Sequence, residues 1–212
     1  MINKLRSAFR ALLEIKMRLI IASNNKHKIE EIRQILGERF SEIISLREAG
    51  VELDTVEDAD SFLGNARKKA LEALELLPGD AVLADDSGLC VDALGGAPGV
   101  YSARYAGAGH DDALNRQKLL KELEGIPSEE RGAHFACAMV LAQGKKPIVE
   151  AIGRVHGSIL FVERGENGFG YDSLFYYAPF DQSFAEISAE RKNAVSHRSN
   201  ALRLLLSALD VK

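Results

Sequence analysis

The sequence predicts an α/β or mixed α+β protein built on a mixed β-sheet flanked by helices. Short β-branched or apolar runs, typical of strands, alternate with longer segments in which apolar residues recur at helical spacing. No internal repeat, low-complexity tract or flexible linker interrupts this alternation. Such a pattern favours helices packed on one sheet over an all-α or all-β fold.

The first half of the chain predicts strand, turn, helix, strand and helix. Residues 18–23 form a β-branched run that ends in small polar residues, and residues 26–36 carry isoleucine and leucine at helical spacing. Residues 42–46 predict a second strand. Residues 61–77 predict a long helix, which Pro78 and the following glycine should end.

A compact apolar strand is predicted at residues 81–84, and it runs directly into a charged string that begins at Asp85. We therefore expect charged groups at the C-terminal end of this strand, where open α/β sheets usually bind ligands. The glycine-rich segment 94–107 predicts either a structured loop of the site or a plain connection.

The second half predicts a helix at residues 114–123 and a hairpin formed by residues 134–143 and 148–156. A second glycine cluster then precedes a short aromatic strand. The last helix is expected to begin near Asn193.

Composition limits the function classes. The formal net charge is -4 and no long Lys/Arg block is present, which argues against a nucleic-acid-binding face. Cys90 and Cys137 lie in apolar stretches, as expected of small core residues in a reducing compartment. No apolar run approaches the roughly 18 residues that span a bilayer. We expect a soluble, cytoplasmic protein with no membrane partner.

The N-terminus predicts an extension rather than part of the fold. Residues 1–16 place apolar side chains at helical spacing among basic ones, which is also compatible with a transit or surface helix. Met17 stands directly before the first predicted strand and is a plausible alternative start. We therefore expect one domain at residues 17–212.

A polar turn separates the first strand from the first helix. Its residues are Ser23, Asn24, Asn25, Lys26, His27 and Lys28. Backbone N–H groups at a helix N-terminus, together with a hydroxyl and lysines, favour phosphate binding. The turn is not a Walker A loop, because that motif is absent from the chain. A phosphate site and an Asn/Ser cap followed by solvated lysines both fit this pattern.

Two adjacent carboxylates, Asp85 and Asp86, precede Ser87 and Gly88. Adjacent carboxylates repel each other and require a cation, strong hydrogen bonds or solvent. Mg²⁺ takes one or two carboxylates together with phosphates and waters, so the string predicts a magnesium site, with a helix cap or turn as the alternative. Because neighbouring side chains of a strand point to opposite faces, only one of the two is expected to act as ligand or base.

An acidic stretch precedes the long predicted helix. It contains Glu52, Asp54, Glu57, Asp58 and Asp60. Most of these charges are expected to be solvated or to lie near the helix N-terminus, where the helix dipole favours them. One of them is a candidate to complete the metal site.

A third group of polar residues and glycines lies in the C-terminal part of the chain. An aromatic ring between glycines is able to lie against a flat base, and a His-Arg pair at a helix start is able to donate hydrogen bonds to base oxygens or phosphate. A capping histidine and a surface lysine are the plainer alternatives. The residues are Phe169, Gly170, Tyr171, Asp172, Lys192, His197 and Arg198.

Taken in order, three segments resemble the inosine triphosphatase family, purine nucleoside triphosphate pyrophosphatases that act on ITP, dITP or XTP. The segments are ADDSGLCVDALGGAPGVYSARYAG, GFGYDSLF and KNAVSHRSNAL. The resemblance extends from about Arg18 to the C-terminal helix. It implies an elongated mixed α/β fold of two lobes with a nucleotide cleft between them, Mg²⁺ as cofactor, and a homodimer.

The resemblance also implies residue roles. Ser23, Asn25 and Lys28 correspond to the triphosphate-binding turn, Asp86 to the proton acceptor and a magnesium ligand, and Ser87 to a substrate contact. The base and sugar pocket corresponds to Phe169, Gly170, Tyr171 and Asp172, with Lys192, His197 and Arg198 as base or phosphate contacts.

One segment departs from the family pattern, in which consecutive glutamates and a glycine precede a Thr-Phe pair. This chain has Val56-Glu57-Asp58-Ala59-Asp60 before Ser61-Phe62. Glu57 is the candidate for the second acidic metal ligand.

Two rival functions stay open at this level. A related Maf-like pyrophosphatase would act on modified pyrimidine or methylated guanine nucleotides. A nucleotide-sensing binding protein would keep the pocket without turnover, although the intact Asp86 argues against that interpretation.

Overall fold

The computed structural model describes residues 18–37, 40, 42–144 and 146–210. The expected extension at residues 1–16 and the alternative start Met17 lie outside these residues. The α-helices of the described part are α1 (Lys26–Leu36), α2 (Phe62–Leu76), α3 (Asp112–Glu122), α4 (Ala189–Val195) and α5 (His197–Asp210). The strands are β1 (Arg18–Ile21), β2 (Glu42–Ser45), β3 (Ala81–Val91), β4 (Gly132–Gln143), β5 (Lys146–Ile159), β6 (Phe175–Tyr177) and β7 (Gln182–Ser183).

The strands form one sheet in the order β2-β1-β3-β4-β5-β6-β7. Strand β1 pairs in parallel with β2 and with β3, and Leu19 lies opposite Ile43 on one side and Ala81 on the other. Strand β6 is antiparallel to both β5 and β7. The sheet therefore contains both kinds of pairing, which confirms the predicted mixed sheet.

The chain divides into two compact units. Unit 1 holds the described residues up to Asp86, residues Ala138–Gly153, and the described residues from Arg198 onward. Unit 2 holds Ser87–Cys137 and Arg154–His197. Each unit has its own hydrophobic core.

In unit 1, alternate residues of the strands pack against α2. Ile20, Val82 and Ala84 share a buried cluster with Ala66 and Ala70 of the helix. Side chains of a strand alternate between its two faces, so Asp86 continues the α2-facing row of Val82 and Ala84. Asp85 continues the row on the other face. The alternation thus separates the two adjacent carboxylates.

Unit 2 has a core rich in aromatic residues. Phe135, Phe175 and Phe184 pack together, with ring centroids 4.6 Å apart for Phe135 and Phe175 and 4.9 Å apart for Phe175 and Phe184. The buried Arg131 donates hydrogen bonds to the carbonyls of Leu123, Ile159 and Leu160. These contacts fix the ends of several elements to one core.

Side-chain caps explain where three of the helices begin. Asn25 caps α1 by accepting a hydrogen bond from the N–H of Lys28, and Ser61 caps α2 by accepting from the N–H of Gly64, so these two helices begin close to the predicted positions. Asp111 caps α3 in the same way, so α3 begins at Asp112, two residues before the predicted start at residue 114. Each cap satisfies a backbone donor that the helix itself leaves unpaired.

Two predicted boundaries were wrong. Strand β3 does not end before Asp85 but continues to Val91, so the charged string lies inside the strand. The strand continues because both carboxylates have polar partners and the following residues Leu89 and Val91 are again apolar and buried. The last helical region begins earlier than Asn193, because Ser188 caps α4, and it is broken at Ser196, which adopts an extended conformation.

Among the described residues, helices long and apolar enough to cross a bilayer are absent.

Candidate functional site

The turn between β1 and α1 has the geometry of a helix N-terminus open to a ligand. The Ser23 hydroxyl accepts from the N–H of Asn25, and the Asn24 amide donates to the carbonyl of Leu53. Lys26 and His27 are exposed. The cap interpretation is therefore correct in part, since Asn25 is the N-cap, but Lys28 does not point into solvent.

Lys28 instead turns inward toward a buried carboxylate. Its Nζ lies 3.3 Å from Asp85 Oδ2, and its side chain is 15% exposed. Arg198 of α5 lies 3.5 Å from the same oxygen and also pairs with Glu31 of α1. Burial raises the pKa of Asp85, but the charges of Lys28, Arg198 and Lys69 outweigh burial and hold that pKa well below its usual range. Asp85 thus acts as a buried anion that fixes two cations.

The neighbouring Asp86 has a different environment. Its Oδ2 accepts a hydrogen bond of 3.0 Å from the side-chain amide of Asn65 on α2. Burial raises the pKa of Asp86 above its usual value, and the charge of Glu57 adds to that effect, while Lys69 and Lys28 oppose it. A desolvated carboxylate with a raised pKa is a stronger base than an exposed one, which suits proton transfer.

The acidic stretch before α2 is docked on that helix. Glu57 pairs with Lys69 at 2.5 Å, and Asp58 pairs with Lys68 at 2.9 Å. Burial lowers the pKa of Lys69, but the carboxylates of Asp85, Asp86 and Glu57 raise it overall, so its ammonium is retained among three anions. The charge of Glu57 also raises the pKa of Asp86, and both carboxylates raise the pKa of Lys69. Glu57 is therefore held near Asp86.

The carboxylates of Asp86 and Glu57 suit Mg²⁺ better than they suit a metal ion that is bound by protein ligands alone. In the described part of the chain, no group of three or more His, Cys, Asp or Glu side chains converges in a way that could hold a metal. Mg²⁺ is usually bound by one or two carboxylates together with substrate phosphates and waters. Asp86 and Glu57 supply two such carboxylates, and the adjacent lysines suit a polyphosphate.

A cavity of about 810 Å³ opens beside the turn. Ser23, Asn24 and Lys26 line it, together with side chains of α1 and of the segment that follows β2. Ligand pockets commonly occupy about 300–1,000 Å³. The exposed side of the turn therefore faces space that a ligand is able to enter.

Unit 2 contains a second polar cluster around Asp172. The Lys192 Nζ lies 2.6 Å from Asp172 Oδ2 and 4.9 Å from the centre of the Phe169 ring. The N–H of Phe169 donates to the same carboxylate. Gly168 adopts a positive φ of 76°, and a Cβ there would lie 2.1 Å from Asp172 Oδ2. Glycine is therefore required for the close approach of this turn to the carboxylate.

The other residues predicted in this region differ in exposure and role. Tyr171 is buried and its hydroxyl donates to the carbonyl of Ser102, so it anchors the turn. The N–H of Gly170 donates to Asp112 at 2.8 Å. His197 is buried and its ring stacks on Phe135 at 4.9 Å. Ser87 follows Asp86 in β3 and is half-buried.

The structure thus brings Lys28, Asp86 and Glu57 into one charged cluster in unit 1. It places Phe169, Asp172 and Lys192 in a cluster in unit 2.

Sequence reasoning missed Asn65 and Lys69. They are four residues apart on α2, beside the buried Ala66 and Ala70. A polar pair at this spacing on the apolar side of a helix was the available signal, because side chains four apart share a helix face.

Two solved structures that share this architecture are Ham1 proteins. The Staphylococcus aureus Ham1 protein superposes with a TM-score of 0.80 at 39% identity, and the match covers 91% of this chain and 98% of that one. A HAM1 protein from Coxiella burnetii gives a TM-score of 0.82 at 37% identity, with the same coverage of 91% and 98%.

Sequence comparison places the chain in the same class. The model of the Ham1 family matches residues 19–208. A dITP/XTP pyrophosphatase of Clostridium tetani is 44% identical over 193 residues, which cover 90% of this chain and 95% of that protein. One from Desulfotalea psychrophila is 48% identical over 184 residues, which cover 87% and 81%. The chain belongs to the Ham1 family, and the resemblance inferred from its motifs is confirmed.

Proposed function

We propose that this protein hydrolyses ITP, dITP and XTP to the nucleoside monophosphate and pyrophosphate. The observation that carries the proposal is the desolvated carboxylate of Asp86, which lies among Lys28, Lys69 and Glu57. Its relatives in Clostridium tetani and Desulfotalea psychrophila bear the name dITP/XTP pyrophosphatase. A polyphosphate substrate explains why a base, cations and a second carboxylate are gathered in one cluster.

The triphosphate is bound by the turn that begins α1. Backbone N–H groups and the helix dipole favour an anion at this position. Ser23, Asn24, Asn25, Lys26 and His27 line the exposed side of the turn, and Lys28 provides a cation that Asp85 holds in place. Binding through these groups adds positive charge without a broad basic surface, which agrees with the acidic net charge of the chain.

Magnesium is the proposed cofactor, held by Asp86 and Glu57. Bound Mg²⁺ would supply positive charge to the phosphates and lower their repulsion toward an incoming nucleophile. Lys69 pairs with Glu57 and is attracted by Asp86, so it is placed to balance these carboxylates.

In the chemical step, Asp86 orients a water molecule and accepts its proton as the water attacks the α-phosphorus. The bond from the α-phosphorus to the bridging oxygen breaks, and pyrophosphate leaves. Lys28 and Lys69 stabilise the negative charge that develops on the phosphates. Catalysis of this kind consists mainly of positioning and charge stabilisation, and it requires no covalent intermediate.

The base is recognised by the cluster of unit 2. The Phe169 ring offers an aromatic face, and Lys192 is a donor suited to the 6-oxo group of hypoxanthine or xanthine. Gly170, Tyr171 and Asp172 shape this turn, while Ser87, His197 and Arg198 are the further proposed substrate contacts. Adenine carries a 6-amino donor, so a site built from donors should reject it, by up to roughly 10⁴-fold.

A homodimer is part of the same proposal, because the family that the motifs resemble is usually dimeric. The nucleotide is the proposed small-molecule partner.

A substrate panel tests the proposed activity. With Mg²⁺ present, we expect pyrophosphate and monophosphate from ITP, dITP and XTP, with kcat/KM at least about 10²-fold above that for ATP. Pyrophosphate would be measured by a coupled assay and the nucleotide products by chromatography. Omission of Mg²⁺ provides the control for metal dependence.

The same panel separates the rivals. Preference for methylated GTP or modified pyrimidine triphosphates over ITP would favour the Maf-like alternative and contradict the proposal. Tight ITP binding without pyrophosphate release would identify a binding protein instead.

A further inference from the structure

Asn65 connects two parts of the candidate metal site. It lies on α2 and is completely buried. Its Oδ1 accepts a hydrogen bond of 3.0 Å from the N–H of Ala59, in the acidic stretch. Its Nδ2 donates a hydrogen bond of 3.0 Å to Asp86. One rigid amide group therefore spans the distance between that stretch and the candidate base.

The chemistry of the partners determines the orientation of this amide. A backbone N–H only donates, so the oxygen of Asn65 must face Ala59. An ionised carboxylate only accepts, so the NH₂ group must face Asp86. Both contacts thus favour the same rotamer of Asn65. The amide held in this rotamer restricts the orientation of the Asp86 carboxylate.

The acidic stretch packs closely on α2 around Asn65. A Cβ built on Gly64 would lie only 2.7 Å from the Cβ of Ala59, so the absence of a side chain at Gly64 allows this approach. Two residues before Ala59, Glu57 reaches Lys69, one helical turn beyond Asn65. The position of Glu57 relative to Asp86 is therefore determined through α2, and Asn65 makes the direct link.

We propose that Asn65 is a positioning residue that sets the separation and orientation of Asp86 and Glu57 for a divalent cation. The inference rests on the proposed function, in which these two carboxylates hold Mg²⁺. Asn65 itself touches neither cation nor substrate in this account, because it acts through Asp86 and Ala59. Residues that orient metal ligands commonly affect metal affinity or activity by about 10- to 100-fold.

Asn115 provides a matched control. It is also a buried asparagine that joins a helix to a neighbouring segment, since it accepts from the N–H of Ala106 and donates to the carbonyl of Ala103. It lies in unit 2 and has no contact with the acidic stretch or Asp86 among its hydrogen bonds. Replacement of either asparagine by leucine removes two buried side-chain hydrogen bonds.

The first experiment compares Asn65→Leu with Asn115→Leu. For Asn65→Leu we expect kcat and kcat/KM for ITP to fall together by about 10- to 100-fold, and the Mg²⁺ concentration for half-maximal rate to rise by a similar factor. For Asn115→Leu, we expect kcat per folded molecule within about 3-fold of wild type and an unchanged Mg²⁺ requirement. Equal losses in the two variants would overturn the inference, because they would reflect loss of stability alone.

Mn²⁺ binding without substrate gives a readout that does not depend on turnover. Electron paramagnetic resonance of free Mn²⁺ should show affinity about 10-fold weaker in Asn65→Leu than in wild type. In Asp86→Asn, which already lacks the oriented carboxylate, the further change Asn65→Leu should weaken binding by much less. Fully additive effects would overturn the inference.

Asn65→Asp tests the two hydrogen bonds separately if Asn65→Leu does not fold. Its shape and its acceptor for Ala59 are retained, but the N–H that Asp86 accepts is replaced by a carboxylate oxygen, which repels the ionised Asp86. We expect kcat to fall at least about 10-fold, and wild-type kcat would show that anchoring of Ala59 is sufficient and that Asp86 is not positioned by Asn65. If wild-type protein releases no pyrophosphate, the proposed function fails, whereas the Mn²⁺ measurements still decide the role of Asn65.

Discussion

Asp86→Asn is expected to lower kcat for ITP by about 10²-fold or more while the protein stays folded. The substitution removes the proposed proton acceptor and metal ligand but keeps the shape of the side chain. Burial raises the pKa of Asp86, so its ionised form is a net cost to the folded state at neutral pH. The variant should therefore unfold at the same or a higher urea concentration than wild type.

Asp58→Asn is the matched control for this prediction. Asp58 belongs to the acidic stretch, and its carboxylate is 66% exposed and paired with Lys68. We expect less than about a 3-fold change in kcat, because exposed ion pairs contribute little. Normal turnover in Asp86→Asn, or an equal loss in Asp58→Asn, would contradict the role assigned to Asp86.

Arg198→Ala is expected to lower the free energy of unfolding by about 3–5 kcal/mol. The Arg198 side chain is 1% exposed, and its guanidinium pairs with Asp85 and Glu31. Its removal would leave the fully buried Asp85 with less compensating charge. Because these partners already engage the guanidinium, the main consequence should be loss of stability, measured by urea unfolding at neutral pH.

Arg203→Ala on the same helix is the control. Arg203 is exposed, and its loss should change the free energy of unfolding by less than about 0.5 kcal/mol. A loss below about 1 kcal/mol in Arg198→Ala would show that the buried cluster does not depend on Arg198. Arg198→Lys keeps the charge, but an ammonium group cannot pair with Asp85 and Glu31 in the way the guanidinium does. We therefore expect an intermediate loss in the free energy of unfolding.

The local elements of the fold were predictable because their signals are local. Helix α1 agrees with the predicted residues 26–36, since an asparagine cap begins it and a single apolar face defines its length. The mixed sheet followed from the alternation of strand and helix patterns. The end of β3 was not predicted correctly, because two adjacent carboxylates are costly inside a buried strand unless both have polar partners. Only their partners, Lys28 for Asp85 and Asn65 for Asp86, explain why the strand continues.

The candidate site was predictable where the chemistry is concentrated in short segments. The turn before α1 and the Asp85-Asp86 pair were proposed as site residues from residue types alone, and the structure brings Lys28 close to both carboxylates. Lys69 and Asn65 were not predicted because their place beside the buried Ala66 and Ala70 shows that they lie near the packed side of α2 but does not show what they contact there. Their importance depends on the contact of α2 with β3 and with the acidic stretch, which is a tertiary property.

Asp85 shows most clearly which properties cannot be predicted from the sequence alone. Its sequence context is identical in kind to that of Asp86, since both are aspartates in one strand. Asp85 pairs with Lys28 and Arg198 and has a lowered pKa, whereas Asp86, on the other face of the strand, accepts from the amide of Asn65 and has a raised pKa. The proposed roles, a structural anion for Asp85 and a base for Asp86, therefore follow from the opposite faces of β3.

Hydrolysis of ITP with Mg²⁺ in water labelled with oxygen-18, followed by mass spectrometry of both products, tests the proposed reaction most directly. Attack of water on the α-phosphorus predicts one labelled oxygen in IMP and none in pyrophosphate. Label in the pyrophosphate, or formation of IDP and inorganic phosphate, would contradict the proposed reaction.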